Sequence, residues 1–114
     1  MLKLIQWQWK DYLQFHRSKT NLLIDIIAVP CLLVSNTYLV FALAQQAWAH
    51  ALYSFVVMVL SIAVQGRGHK IEETPSIPFS SPWNAISRLL LEQWINFPRF
   101  VLSGAWWRAL RQAN

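Results

Sequence analysis

The chain has 114 residues, of which 55% are hydrophobic and 13% charged, with a net charge of +5. A soluble domain usually carries about 25% charged residues, and one this small has too little interior to hide so much apolar surface. Composition therefore excludes an ordinary soluble globule and points to a single domain whose missing interior is lipid. The basic excess does not read as nucleic-acid binding, because Lys and Arg lie scattered beside long apolar runs instead of clustering on a polar face.

Residues 1–19 form the first segment. Leu2, Ile5, Trp9, Tyr12 and Leu13 are mixed with Lys3, Lys10 and Asp11, which predicts an amphipathic stretch at a membrane interface. Trp7, Trp9, Lys10 and Asp11 interrupt the apolar region and no small-residue cleavage site follows, so the segment does not read as a cleavable signal. From Thr20 to Gln65 there are 46 residues with Asp25 as the one Asp, Glu, Lys or Arg. A membrane span needs about 20 residues, so this length predicts two spans, 22–44 and 49–64, broken at Gln45-Gln46. Thr20 or Asn21 is the expected cap of the first span. Pro30 should kink it or leave a carbonyl for a neighbour to satisfy. Cys31, alone of its kind, lies inside the apolar run and reads as a packing residue.

Beyond the second span, residues 66–81 are rich in Gly, Pro and Ser and read as a loop. Ser81-Pro82 is a helix start. Trp83, Ile86, Leu90, Trp94, Phe97 and Val101 then recur at spacings of three and four, predicting an interfacial amphipathic helix over 82–111, bent at Pro98. The fold class expected is thus all-α: an integral membrane protein with a two-span helical hairpin between N- and C-terminal interfacial helices.

Lys3, Lys10, Arg17 and Lys19 precede the first span and Arg67 and Lys70 follow the second, while the connection has no Lys or Arg. The positive-inside rule places both ends in the cytoplasm. All seven tryptophans fall outside the spans, as expected of residues at the membrane–water boundary.

This topology sorts the histidines. His16 and His69 flank the spans on one side, together with Glu72, Glu73 and the intramembrane Asp25. His50 begins the second span about 28 Å away from His69, at 1.5 Å per helical residue, and belongs to the opposite boundary. Two imidazoles and a carboxylate around open positions is the pattern of non-haem Fe(II) oxygenases. Asp25 is the most informative member, since ionisable groups inside a span usually face a partner, a cavity or an ion; pairing with Arg17 or Lys19 is the bland alternative. Glu72 and Glu73 stand three and four residues after His69, and either could share its face. Arg67 and Lys70 satisfy the charge rule or pair with a lipid headgroup or a substrate carboxylate. Asn21, besides capping, is a candidate for substrate contact. There is no phosphate-binding glycine loop, G-x-S-x-G or H-E-x-x-H.

At these residues the chain resembles the membrane 2-hydroxy fatty acid dioxygenases of fatty acid α-oxidation and their uncharacterised bacterial relatives. The first motif reads His16-x4-Asn21-x3-Asp25-x4-Pro30, with Asp25 standing where the family has histidine. The second reads Gly68-His69-x3-Glu73, followed by Pro75. The resemblance covers about residues 12–80. It implies an Fe(II)-dependent enzyme that shortens 2-hydroxy fatty acids by one carbon with O2, in a bacterial inner membrane. The implied ligands are His16, His69 and one or both of Asp25 and Glu73, with Arg67 or Lys70 steering the carboxylate of a fatty-acid-like substrate. The aspartate departure could also mean another metal, another reaction or lost catalysis. Two other readings compete: a non-catalytic accessory subunit of a larger membrane complex, and a membrane-shaping protein acting through its amphipathic helices. A homo-oligomer is compatible with the small surface that two spans can bury.

Overall fold

In the computed structural model, which describes residues 2–72, 74 and 77–113, every regular element is helical. Two long helices dominate. α1 spans Leu2–Lys10 and is followed by a 3-10 turn at Tyr12–Phe15; α2 spans Lys19–Ala44 and α3 spans Trp48–Lys70. Both α2 and α3 are long and apolar enough to cross a membrane. Neither has a strongly one-sided apolar stripe; both are apolar all round.

The turn between them is short. Gln46 takes a left-handed φ of 55°, and the Ala47 amide donates to the Ala42 carbonyl. Cross-links then fix an antiparallel register: the Ser61 hydroxyl donates to the Ala28 carbonyl at 2.6 Å, Asn36 reaches Met58, and the Tyr38 hydroxyl meets His50. α2 runs unbroken through Pro30, with the Ser61 bond falling two residues before the proline. The cap of α2 is Ser18, whose Oγ accepts from the Asn21 amide, and not Thr20 or Asn21.

Two expectations change. The second helix does not stop at residue 64; it continues to Lys70, so Gly66 to Lys70, expected in a loop over 66–81, form its last turns. Gly68 shows why the helix can run on there: a Cβ at this position would lie 2.3 Å from Asn21 Oδ1, so only glycine lets α2 and α3 approach so closely.

Residues 82–111 likewise form no single interfacial rod. α4 (Pro82–Leu91) starts as expected, with Ser81 Oγ accepting from the Asn84 amide. At Glu92–Asn96 the helix widens into a π-turn, with the Phe97 amide bonded back to the Glu92 carbonyl. Pro98 cannot donate to the carbonyl four residues before it, and its ring crowds that carbonyl. The expected bend at Pro98 is therefore taken up as a widening just before it. α5 (Phe97–Leu102) closes at Ser103, and Gly104, left-handed with φ +82°, is the cap from which α6 (Ala105–Gln112) starts.

This arrangement packs the C-terminal region onto one end of the helix pair. Trp106 and Ala109 join Tyr12, Leu22, Val29, Phe97 and Phe100 in the core. The Trp106 indole, expected at the membrane–water boundary, is instead buried and donates to the Leu22 carbonyl. Polar contacts fasten the rest: Gln93 and Gln65 exchange amide bonds, Asn96 donates to Gln8, and Gln8 donates to the Arg88 carbonyl.

Candidate metal centre

Three elements deliver the candidate ligands. His16 closes the 3-10 turn, its amide bonded to the Leu13 carbonyl. Asp25 lies in the second turn of α2, and His69 in the last turn of α3. The close approach of Asn21 and Gly68 draws those helix ends together. One ligand atom from each of His16, Asp25 and His69 can be chosen so that all lie within 4.8 Å of one another. Sequence reasoning placed these residues in one layer; the structure brings them into one cluster.

The chemistry of the cluster is incomplete as built from protein atoms. His16 Nδ1 lies 2.7 Å from the Tyr12 carbonyl, which can only accept, so Nδ1 carries the proton. Nε2 then points its remaining valence towards Asp25, at 3.5 Å from Oδ2. Among the described residues, His16 Nε2, His69 Nδ1 and both Asp25 carboxylate oxygens are buried without a hydrogen-bond partner. Asp25 is only 1% exposed. A buried carboxylate facing unpartnered imidazole nitrogens lacks positive charge, which a second proton on His16 or a divalent cation supplies. The backbone carbonyl on the far ring nitrogen is the usual device that fixes the tautomer of a metal-binding histidine. The residues present thus fit a divalent metal.

Tyr12 and Glu92 extend the cluster. The Tyr12 ring stacks on His16 with centroids 4.0 Å apart, and its hydroxyl donates to Glu92 Oε1. The same oxygen lies 3.9 Å from His16 Nε2. Burial pulls the His16 pKa down, but the adjacent Asp25 carboxylate and the charge of Glu92 outweigh it, and the net value is raised. Burial raises the Glu92 carboxyl, against the opposing pull of His16 and the Tyr12 hydroxyl. Sequence reasoning missed Glu92, which carried no signal beyond being an acid on an amphipathic helix.

The other expected site residues separate. Glu72 lines the adjoining cavity but is engaged at the approach to α2, accepting from the Arg17 and Ser18 amides and from Asn21 Nδ2. Glu73 and Pro75 lie outside the described residues. Asn21 is fully buried and also donates to the Phe15 carbonyl, so it braces the entry to α2 and does not line the adjoining cavity. His50 lies at the opposite end of the helix pair, exposed beside Tyr38.

That cavity holds about 630 Å3 and is walled by Trp7, Phe15, Ile62, Ile77, Phe79 and Leu89, with His16, His69 and Glu92 among its polar groups. Small-molecule sites usually measure about 300–1,000 Å3 and combine apolar walls with a few polar groups. Of the cations expected at the site, Lys70 lines the cavity, whereas Arg67 is exposed and does not. Arg88, not singled out from the sequence, does line it, its guanidinium held over the rings of Trp7 and Phe79.

No family model, curated protein or solved structure matches this chain.

Proposed function

We propose that this protein is a membrane-embedded, metal-dependent enzyme of the Fe(II) dioxygenase kind, shortening 2-hydroxy fatty acids by one carbon. The observation that carries this reading is the buried set of His16 Nε2, Asp25 Oδ1 and Oδ2, and His69 Nδ1, without a hydrogen-bond partner among the described residues and beside an apolar cavity. The reaction class comes from the motif resemblance around His16 and His69.

His16, Asp25 and His69 would hold the ion, which when bound supplies a Lewis acid and a redox centre for O2. The overall conversion balances without another reductant: a 2-hydroxy acid and O2 give the acid one carbon shorter, CO2 and water. The protein's own contributions are positional. The Tyr12 carbonyl keeps the His16 proton on Nδ1 and so leaves Nε2 for the ion. Lys70 and Arg88 supply positive charge on the cavity wall for a carboxylate, and the aromatic and aliphatic wall takes the start of an alkyl tail. α2 and α3 span the bilayer with both termini in the cytoplasm, supported by the absence of Lys and Arg from the Gln45–Ala47 turn. An inner bacterial membrane follows from the resemblance.

The test is metal content. Wild type, His16→Ala and His69→Ala are purified anaerobically in detergent, reconstituted with Fe(II), and measured for iron, zinc and manganese per chain. Near-stoichiometric iron in wild type, lost in both variants, together with O2-dependent consumption of a 2-hydroxy fatty acid, supports the proposal. A folded wild type that takes up no metal sinks it and favours the accessory-subunit reading.

A further inference from the structure

We propose that Glu92 is a fourth protein ligand of the metal bound by His16, Asp25 and His69, making a two-histidine, two-carboxylate centre with no net charge. This rests on the metal reading above and concerns a residue that lies outside the motifs on which that reading was built.

Geometry comes first. Glu92 Oε1 stands 3.9 Å from His16 Nε2, the nitrogen that also faces Asp25 at 3.5 Å. Two carboxylates thus approach one partnerless nitrogen from different elements, α2 and the π-turn. Glu92 also lines the cavity, as do His16 and His69.

Local structure points the same way. Glu92 opens the π-turn, and single π-turns inside helices concentrate at functional sites because the extra residue re-aims side chains. Here the widening directs adjacent residues to two different partners. Glu92 reaches Tyr12 and His16, while Gln93 reaches Gln65. The Tyr12 hydroxyl bonded to Glu92 Oε1 is the outer-shell contact that orients a ligating carboxylate.

Electrostatics supplies the reason for a second carboxylate. A divalent ion held by two neutral imidazoles and Asp25 alone leaves one uncompensated positive charge at the buried end of an apolar helix pair. Uncompensated buried charge costs several kcal/mol in a low-dielectric setting. Glu92 removes it. The resulting oxygen-rich donor set favours ions such as Fe(II) or Mn(II) over softer ones.

The experiment titrates the full chain in detergent with Co(II) as probe, following the visible absorption bands, whose intensity and position report coordination number and donor type. Wild type, Glu92→Gln and Glu92→Asp are compared, with Tyr12→Phe as the outer-shell control. We expect Glu92→Gln to lower Co(II) affinity by more than the ~10–100-fold typical of an outer-shell change, with altered bands at saturation. Tyr12→Phe should weaken binding by no more than the ~10–100-fold of such an outer-shell change and leave the bands unchanged. Unaltered bands in saturated Glu92→Gln overturn the proposal whatever the affinity, because they put Glu92 outside the coordination sphere. If Glu92→Gln does not fold, Glu92→Asp decides: displaced bands support ligation and wild-type bands overturn it. Wild type that binds no Co(II) sinks the metal reading itself, a separate result from a wild type that binds it without Glu92.

Discussion

The two ends of the α2–α3 pair are built from the same helices by different rules. At the end bearing Asp25 and His69, the interior holds His16, Asn21, Asp25, Gln65, Gln93 and Asn96, roofed by α1 and the C-terminal helices. At the far end, the buried residues are small (Ala42, Ala51, Ser54), while Val34, Val40, Phe41, Leu52, Tyr53 and Phe55 face outward. Each end has a histidine beside a tyrosine. His50 is exposed and meets the Tyr38 hydroxyl; His16 is buried, stacked on Tyr12, and keeps a partnerless nitrogen. A membrane around the far end would relieve it of its exposed apolar surface. It does nothing for the buried polar groups of the near end, whose cost needs another justification.

The sharpest break in this comparison is metal binding. His16→Ala or His69→Ala should lower metal affinity at least 100-fold, beyond the ~10–100-fold of outer-shell changes, whereas His50→Ala should leave it unchanged; metal quantification per chain checks all three. Equal losses at both ends would abolish the distinction.

Packing should follow the same divide. Gln93→Leu leaves the Gln65 amide without its buried partner and should destabilise the near end by about 1–3 kcal/mol. Gly68→Ala forces a Cβ against Asn21 Oδ1 and should cost a similar ~1–3 kcal/mol. Gly66, two residues earlier in the same helix, has nothing near its missing Cβ, and Gly66→Ala should stabilise by about 0.5–1 kcal/mol through helix propensity. Thermal or denaturant unfolding in detergent measures these; Gly68→Ala and Gly66→Ala with the same sign would refute the close-approach account.

Acidity gives the smallest and most diagnostic effect. The raised pKa values of His16 and Glu92 mean that the folded, metal-free protein holds these protons more tightly than the unfolded chain. For His16 that stability is present in full below its unfolded value of about 6.5 and is lost as pH rises through the folded value; Glu92 acts with the same sign from about 4.3 upward. Melting temperature without metal should therefore fall as pH rises past neutrality. With metal it should rise over the same window, because binding requires the deprotonated ligands. Parallel curves with and without metal would show that the ion binds elsewhere.

Much of the near end was legible in the sequence for a topological reason. Two apolar runs joined by an uncharged turn must return the chain to the side it left, so His16, Asp25 and His69 had to share a layer. The roles within that layer were not legible. Residue spacing offered Glu72 and Glu73 equally as partners of His69, but the free amides of Arg17 and Ser18 before α2 claimed Glu72. Asn21 read as a cap or a substrate contact, yet Ser18 caps the helix and Asn21 packs against Gly68.

The sequence by itself determined the apolar two-helix frame and the end of it at which His16 and His69 meet, because hydropathy is a local property and a short turn between two long helices brings the chain back to where it began. Only the tertiary structure decided that Trp106 is core, that α3 runs on through His69 to Lys70, and that Glu92 reaches His16. Those outcomes depend on the π-turn before Pro98 and the left-handed junction at Gly104, which bring residues some eighty positions apart into contact. No periodicity in a single helix records such a contact, because its cause is the fit between helices.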